Sequence, residues 1–463
     1  MTEVRQGRCG SRSASKRSGG VVLTSEENEL VTRVGPGSVM GEFMREHWIP
    51  FFLSEDVELE GQPQRVRLLG EDLIVWRDTN GAVGLTAPGC AHRNAPLVFA
   101  RNEECGLRCV YHGWKYDVTG QCVDMTTEPP ESRFKRHIKL TAYPVVDRGG
   151  ALWTYMGNRQ TPPPLPDLEW NLVSAEQRHL SIRVQQCNWL QALEGEIDSS
   201  HGSVLHGRVD KKGLLSNSAQ AKDMTPKFEV LRHDFGMSVA ARRQTGEADS
   251  FYWRINRYLM PFYTFVPPLR EEGAFSGHAW VPIDDNNTAC FMFTYHPTEP
   301  LSERLRQTIT HGTRSGREGG HLSTQGHAED PGPVPYARYV SKYARENDFG
   351  GVDYPAQVST YFSGLPGLWP QDAACQSGLQ PIVDRTREHL SSCDAGIVLA
   401  RRVAIDAATS HHESGEAPIT AQDPKVSMIR ALAMKLKREE AWYEAGKEHM
   451  EAVLGAEIAY ELV

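Results

Sequence analysis

The chain reads as an α+β protein on three observations. Residues 40–157 are β-rich, the stretch 157–170 holds four prolines, and the residues beyond it mix strand-like with helical runs. Its 463 residues are about three times the ~150 usual for one domain, so more than one domain is expected. With 40% hydrophobic and 24% charged residues it has the make-up of an ordinary globular protein. A net charge of −9 argues against a nucleic-acid surface and a basic membrane-binding face. The longest charge-poor apolar stretch, 258–269, is twelve residues with three prolines, too short and too broken to span a bilayer. Nine cysteines, an odd number in a chain too large to need staples, point to a reducing, cytoplasmic setting. In that setting special cysteines bind metal or do redox chemistry.

Residues 1–25 carry five basic side chains and one acid in the first twenty, with almost no apolar residues, and are expected to be a disordered basic tail. Without an apolar segment they do not make a secretory signal. The first folded domain is expected over 26–157, with a helical lead-in. Alternation predicts strands at 65–69, 72–78 and 82–85, the first turn falling at Asp78-Thr79-Asn80-Gly81. A hairpin follows at 115–118 and 122–124, and a last strand at 151–156. The Pro-rich linker is 158–170 and the second domain 171–463. In the second domain, strands are expected at 180–184, 228–232, 237–242, 251–260, 277–282, 288–295 and 396–403. Helices are expected at 186–205, 371–389 and 424–462, and the Gly- and His-rich 311–350 is expected to be a mobile loop or lid.

The first chemical signal is a pair of Cys/His loops. Cys90-Ala91-His92 gives Cys-x-His, and Cys109-Val110-Tyr111-His112 gives Cys-x-x-His. A zinc finger would more usually pair two cysteines and set two histidines on a helix. One Cys and one His from each of two loops in a β domain suits a two-iron cluster with Cys₂ on one iron and His₂ on the other, the Rieske arrangement. Cys105 and Cys122 lie outside the pattern and read as buried thiols.

The run CAHRNAPL…RCVYHGWKYDVTGQCVD resembles the Rieske domain of aromatic-ring-hydroxylating oxygenases, in their phthalate 4,5-dioxygenase-like branch. The resemblance covers roughly residues 30–403. It implies an all-β Rieske [2Fe–2S] domain followed by a helix-grip catalytic domain, an antiparallel sheet plus helices, that holds a mononuclear Fe(II).

The second signal is Glu194-Gly195-Glu196-Ile197-Asp198-Ser199-Ser200-His201-Gly202-Ser203-Val204-Leu205-His206. Glu194, Asp198 and His201 are spaced for one face of a helix. His201 and His206 would stand about 140° apart on a regular helix, so converging on one metal requires unwinding near Gly202-Ser203. Two histidines and a carboxylate form the facial triad of non-haem Fe(II) oxygenases. The segment resembles the family's Asp-x-x-His-x-x-x-x-His element, which implies His201 and His206 as iron ligands. Asp198 suits an outer role, accepting the free N–H of His201 and bridging to a cluster histidine. The resemblance implies that this histidine is His112 of a neighbouring subunit. Glu194, one turn earlier, is expected to face the same junction. For the third ligand, Asp372 follows a Pro-Gly turn in a helix start, with Asp353, Asp384 and Asp394 as rivals, and Gln371-Asp372 resembles the family's late carboxylate position. Asp384 is expected to pair with Arg387.

The expected function is a terminal oxygenase that activates O₂ with electrons from the cluster to hydroxylate an aromatic substrate, an aromatic carboxylate or aryl ether, as a dioxygenase. A monooxygenase performing O- or N-demethylation or ether cleavage is the alternative within the class. An electron-transfer or ligand-binding protein without catalytic iron is the alternative outside it. No Gly-rich phosphate loop follows a strand, so a separate reductase must supply electrons. The resemblance implies an NAD(P)H-dependent flavin and iron–sulfur reductase and a homo-oligomer, trimer or hexamer. Arg254 and Arg257 are candidate cations for a substrate carboxylate, with surface ion pairing an equal alternative.

Overall fold

The computed structural model describes residues 22–210, 218–267, 273–311, 335–365 and 367–455. The tail 1–21, most of the expected 311–350 loop and the end of the expected C-terminal helix lie outside the described residues. None of the described helices is long and apolar enough to cross a membrane.

The N-terminal domain is all β. Gln64–Leu68, Glu71–Arg77, Val83–Thr86 and Ala142–Tyr143 form one antiparallel sheet, and Arg101–Glu103, Gly106–Arg108, Trp114–Tyr116 and Cys122–Met125 form another. The second sheet belongs to the cluster lobe, which has a small core of its own including Trp76, Leu97, Leu107, Trp114 and Tyr116. At the base, Trp48–Leu53 pairs with Ala151–Tyr155, so the two ends of the domain close on each other.

The C-terminal domain is an antiparallel sheet with helices, as the α+β expectation requires. Its strand order is 178–185, 288–295, 275–282, 263–266, 250–259, 236–244, 227–233. Leu432–Lys437 pairs with Ser250–Leu259 off that path. Three helices cover the sheet: Trp189–Ile197, Leu368–Ser377 and the long Ala395–Ser414.

Four expected elements are corrected. The 186–205 helix ends at Ile197, because the Asp198 carboxylate accepts the Ser200 N–H at 2.6 Å, an Asx turn that outcompetes the next helical bond. The 371–389 helix is Leu368–Ser377, starting at Gly367 with φ +86°. The run at 396–403 is not a strand but the start of the long helix, preceded by a reciprocal Ser391/Asp394 cap and closed by Gly415 at φ +69°. Gly396 is needed there, since a Cβ would meet Val239 at 3.0 Å. The expected 424–462 helix is instead a short 3-10 turn, the Leu432–Lys437 strand and the one-turn helix Trp442–Gly446. In that strand Leu432 and Met434 are buried while Lys435 and Lys437 point out, a period of two.

The domains share one core. Trp153, Trp170 and Phe293 stack in series, with ring centroids 5.5 and 5.2 Å apart, joining the base strand, the linker's end and the catalytic sheet. The expected 158–170 linker gives way to the helix Glu169–Leu172 at its end, and its irregular part is packed: the Trp48 indole N–H donates to the Pro163 carbonyl at 2.7 Å, and Asp167 N–H to the Pro424 carbonyl at 3.0 Å. The helical lead-in, Ser25–Thr32 and Val39–Arg45, packs on the long helix of the catalytic domain rather than on the cluster lobe. Asn188 caps the Trp189–Ile197 helix and donates to the Thr32 carbonyl at 2.9 Å.

Trp170→Ala removes the middle ring of the stack from a fully buried position. It is expected to cost about 3–5 kcal/mol, read as a lower urea midpoint with the cluster's visible absorption retained in the native state.

Candidate functional site

The two Cys/His loops fold alike. Asn94 N–H bonds the Cys90 carbonyl at 2.8 Å and Cys90 N–H the Ala95 carbonyl at 2.9 Å; Gly113 N–H bonds the Cys109 carbonyl at 2.9 Å and Cys109 N–H the Trp114 carbonyl at 2.8 Å. Each loop turns on a left-handed residue, Asn94 at φ 56° and Gly113 at φ 76°. Cys90 and Cys109 are buried. The His92 and His112 rings meet edge-on at 4.4 Å, and His92 stacks on Trp114 at 4.5 Å. Tyr116 accepts the Ala91 N–H at 3.2 Å, which leaves its own proton for the Cys90 sulfur 3.1 Å away. Burial pushes the Cys90 thiol up, the Tyr116 bond opposes that rise, and the neighbouring Cys109 adds to it. His92 Nδ1 is buried without a hydrogen-bond partner among the described residues. Two adjacent buried sulfurs and two paired imidazoles fit a Cys₂His₂ cluster.

The second group forms where the Trp189–Ile197 helix stops. Because the chain breaks out of helix at Asp198, His201 lies on a single 3-10 turn, His201–Ser203, and His206 on the turn that follows. The rings come to 5.1 Å at 81°. Their Nε2 atoms each lie 3.5 Å from Asp372 Oδ1, and one donor atom from each of the three residues falls within 4.8 Å of the others. Asp372 Oδ1 is buried with no hydrogen-bond partner among the described residues. Burial raises the Asp372 carboxyl to about 7, with Glu196 and Asp198 adding to the rise and His201 and His278 opposing it. A carboxylate so placed is matched by a cation between it and the two imidazoles. His201 stands above its ordinary value: burial lowers it, but the Asp198 bond and the field of Asp372 outweigh that. Asp198, with its Oδ2 3.5 Å from His201 Nδ1, keeps 26% of its side chain exposed. Burial opposes its ionisation, yet His201 and the 200–201 backbone hold it below the carboxylate range.

Of the sequence candidates, His201, His206 and Asp372 are brought together, and Asp198 stands behind His201. Glu194 is not at that junction. Arg385 donates to both its oxygens at 3.1 Å, and Arg401 to Oε1 at 2.7 Å. The rivals serve as caps: Asp353 accepts from Ala356 N–H, Asp384 from Thr386, Asp394 from Ser391 N–H. The expected Asp384–Arg387 pair gives way to the Thr386 bonds, because a two-residue Asx turn needs no long side chain to order. Cys122 is buried as expected but Cys105 is half-exposed, in a turn at φ 58°. Arg257 is buried against Phe235 at 4.8 Å and donates to the Met450 carbonyl at 3.4 Å, away from a substrate role.

Three features went unread. Tyr116 and Trp114 alternate on one short strand, a period-two signal that points both inward. Glu196 pairs with the buried His278 at 3.1 Å, a contact between helix and sheet that local sequence does not encode. Gln371 Oε1 meets His206 Nδ1 at 2.7 Å.

A family model described as Rieske [2Fe-2S] domain matches residues 47–144, and one described as LigXa C-terminal domain like matches 154–316 and 332–461. The 3-chlorobenzoate-3,4-dioxygenase oxygenase subunit of Comamonas testosteroni is 37% identical, over 85% of this chain and 90% of its own. The phthalate 4,5-dioxygenase oxygenase subunit of Pseudomonas putida is 33% identical, over 95% and 98%. The 5,5'-dehydrodivanillate O-demethylase oxygenase subunit of a Sphingobium strain is 35% identical, over 60% and 65%. A solved complex between oxygenase and ferredoxin in carbazole 1,9a-dioxygenase matches at TM-score 0.51 and 19% identity, over 84% of this chain and 94% of that one, a likeness of fold.

Glu194→Ala leaves the buried Arg385 without a carboxylate partner and Arg401 with Glu388 alone, and is expected to cost about 3–5 kcal/mol in urea unfolding. Glu194→Gln, which keeps hydrogen bonding, costs less. Burial alone would raise the Glu194 carboxyl, but Arg385 and Arg401 hold it below its ordinary value. Its contribution is therefore present at neutral pH and lost as pH falls below about 4.3 and on through the lower folded value. The stability gap between wild type and Glu194→Gln should narrow over that acid range.

Proposed function

Since the chain belongs to the Rieske-type oxygenases that join a Rieske [2Fe–2S] domain to a LigXa-like catalytic domain, we propose that Cys90, His92, Cys109 and His112 hold its cluster, and His201, His206 and Asp372 its mononuclear iron. The protein is a terminal oxygenase component, an oxidoreductase acting on aromatic compounds. The observation that carries the site reading is the convergence of two Nε2 atoms on one buried, otherwise unbonded Asp372 oxygen. When bound, the cluster supplies single electrons and the iron a place where O₂ is activated.

The chain's own residues do the rest. Asp198 Oδ2 faces His201 Nδ1 at 3.5 Å, placed to fix that ring's tautomer, and the part-exposed carboxylate is placed to accept from His112 of the partner subunit. The packed linker keeps the cluster lobe in a set pose on its own catalytic domain, which favours delivery between subunits in a closed ring, trimer or stacked trimer. Electrons come from a separate protein. An NAD(P)H-dependent flavin and iron–sulfur reductase in the cytoplasm is the fuller reading.

Dioxygenation of an aromatic carboxylate is the reading favoured for the substrate, since 3-chlorobenzoate and phthalate name the two relatives matched over most of the chain. O-demethylation is the second reading, favoured by the dehydrodivanillate relative. Turnover of benzoates, phthalates and methoxybenzoates with a surrogate reductase separates them: a cis-diol product supports the first, formaldehyde the second.

Asp372→Ala should keep the cluster's absorption and its low-average-g paramagnetic signal, lose one iron per chain and form no product. Unchanged iron and activity would exclude Asp372 as ligand. Asp198→Asn should assemble with full cluster, yet slow cluster re-oxidation in a single turnover by about 10–100-fold. Wild-type re-oxidation rates would remove Asp198 from the path.

A further inference from the structure

Gln371 stands between the third carboxylate and the second histidine. It is 2% exposed and precedes Asp372 on the Leu368–Ser377 helix. Its amide nitrogen donates to the Leu365 carbonyl at 2.8 Å, while its oxygen meets His206 Nδ1 at 2.7 Å. Turning the amide over would set its oxygen against the Leu365 carbonyl, two lone-pair bearers face to face. The backbone therefore fixes which end is oxygen, and that oxygen can only accept. His206 must carry its proton on Nδ1, which leaves the Nε2 lone pair toward Asp372, 3.5 Å away.

His201 is held differently. Its Nδ1 faces the Asp198 carboxylate, which is anionic and partly exposed, whereas His206 faces a neutral, buried amide. A carboxylate partner raises the basicity of an imidazole ligand more than an amide does. We propose that Gln371 is a positioning residue that locks His206 as its Nδ1–H tautomer, presents Nε2 to the metal, and by its neutrality makes His206 the weaker donor of the two. One helix start then delivers both the third ligand and the orientation of the second. This inference rests on reading His201, His206 and Asp372 as the iron site.

The test is cobalt(II) titration of the full-length, cluster-loaded protein after removal of mononuclear iron, followed by the visible d–d bands and binding affinity. Gln371→Leu deletes the acceptor and is expected to weaken cobalt binding about 10–100-fold and to shift the bands. Gln371→Glu keeps an acceptor for His206 Nδ1 but cannot donate to Leu365, and is expected to bind cobalt at least as tightly as wild type. Wild-type affinity and bands in Gln371→Leu would overturn the inference. So would an equal loss in both variants, or unfolding of both, since either assigns Gln371 only a tether to Leu365. If wild type itself takes up no cobalt beyond the cluster, the reading of the metal site fails and the inference with it.

Discussion

The buried carboxylate of Glu194 is the point on which the catalytic domain hangs. Four segments distant in sequence meet there. Arg385 reaches it from the loop after the Asp372 helix and Arg401 from the long helix, and Arg385 also bonds Asn28 of the N-terminal helix. Arg401 carries the network on to Glu388. Arginine suits this place because its fork of donors serves two acceptors at once without a change of charge. A buried ion network adds little net stability over a packed apolar core, but it tolerates almost no shift of its members. Its yield is register. The helix that ends at Asp198 is thereby set against the helix that bears Asp372, and the convergence of His201, His206 and Asp372 inherits that setting.

From this anchor the chemistry is assembled by interruption. A helix continued through His206 would splay the two histidines, and the Asp198–Ser200 turn stops it. The same carboxylate that ends the helix with one oxygen faces His201 with the other. Structural termination and orientation of the ring are thus one feature. At the opposite side the Gly367 turn starts the carboxylate helix at a fixed point, and Gln371 and Asp372 project from it to the same two imidazoles.

The cluster lobe obeys a different logic. Its core is small, and Val110 and Tyr111 stand exposed beside His112. An apolar rim around a ring at the surface suits contact with another protein, while the thiols remain buried. The aromatic stack through Trp170 instead ties the base strand Ala151–Tyr155 of the N-terminal domain to the catalytic sheet.

The amino-acid sequence alone carries the two Cys/His motifs and most of the sheet. Cys90, His92, Cys109 and His112 were legible because both loops are short and local, so residue spacing is geometry there. The strand 288–295 is legible because its centre, 289–293, is an unbroken apolar run, as a strand buried on both faces requires. Tertiary structure decided what depends on partners far along the chain. The 396–403 run carries β-branched residues, yet it is helix because its Ile397, Ala400 and Ala404 stripe packs against the sheet and the N-terminal helices. Leu432–Lys437 has a helix-forming composition, yet it is strand because Ser250–Leu259 offers it a ladder of backbone bonds from nearly two hundred residues away. Helical spacing puts Glu194 beside the Asp198 junction, and only the fold brings Arg385 and Arg401 to it. Asp372 meets His201 and His206 for the same reason: a triad split across the chain closes in space, where long-range packing, not local propensity, fixes the distances.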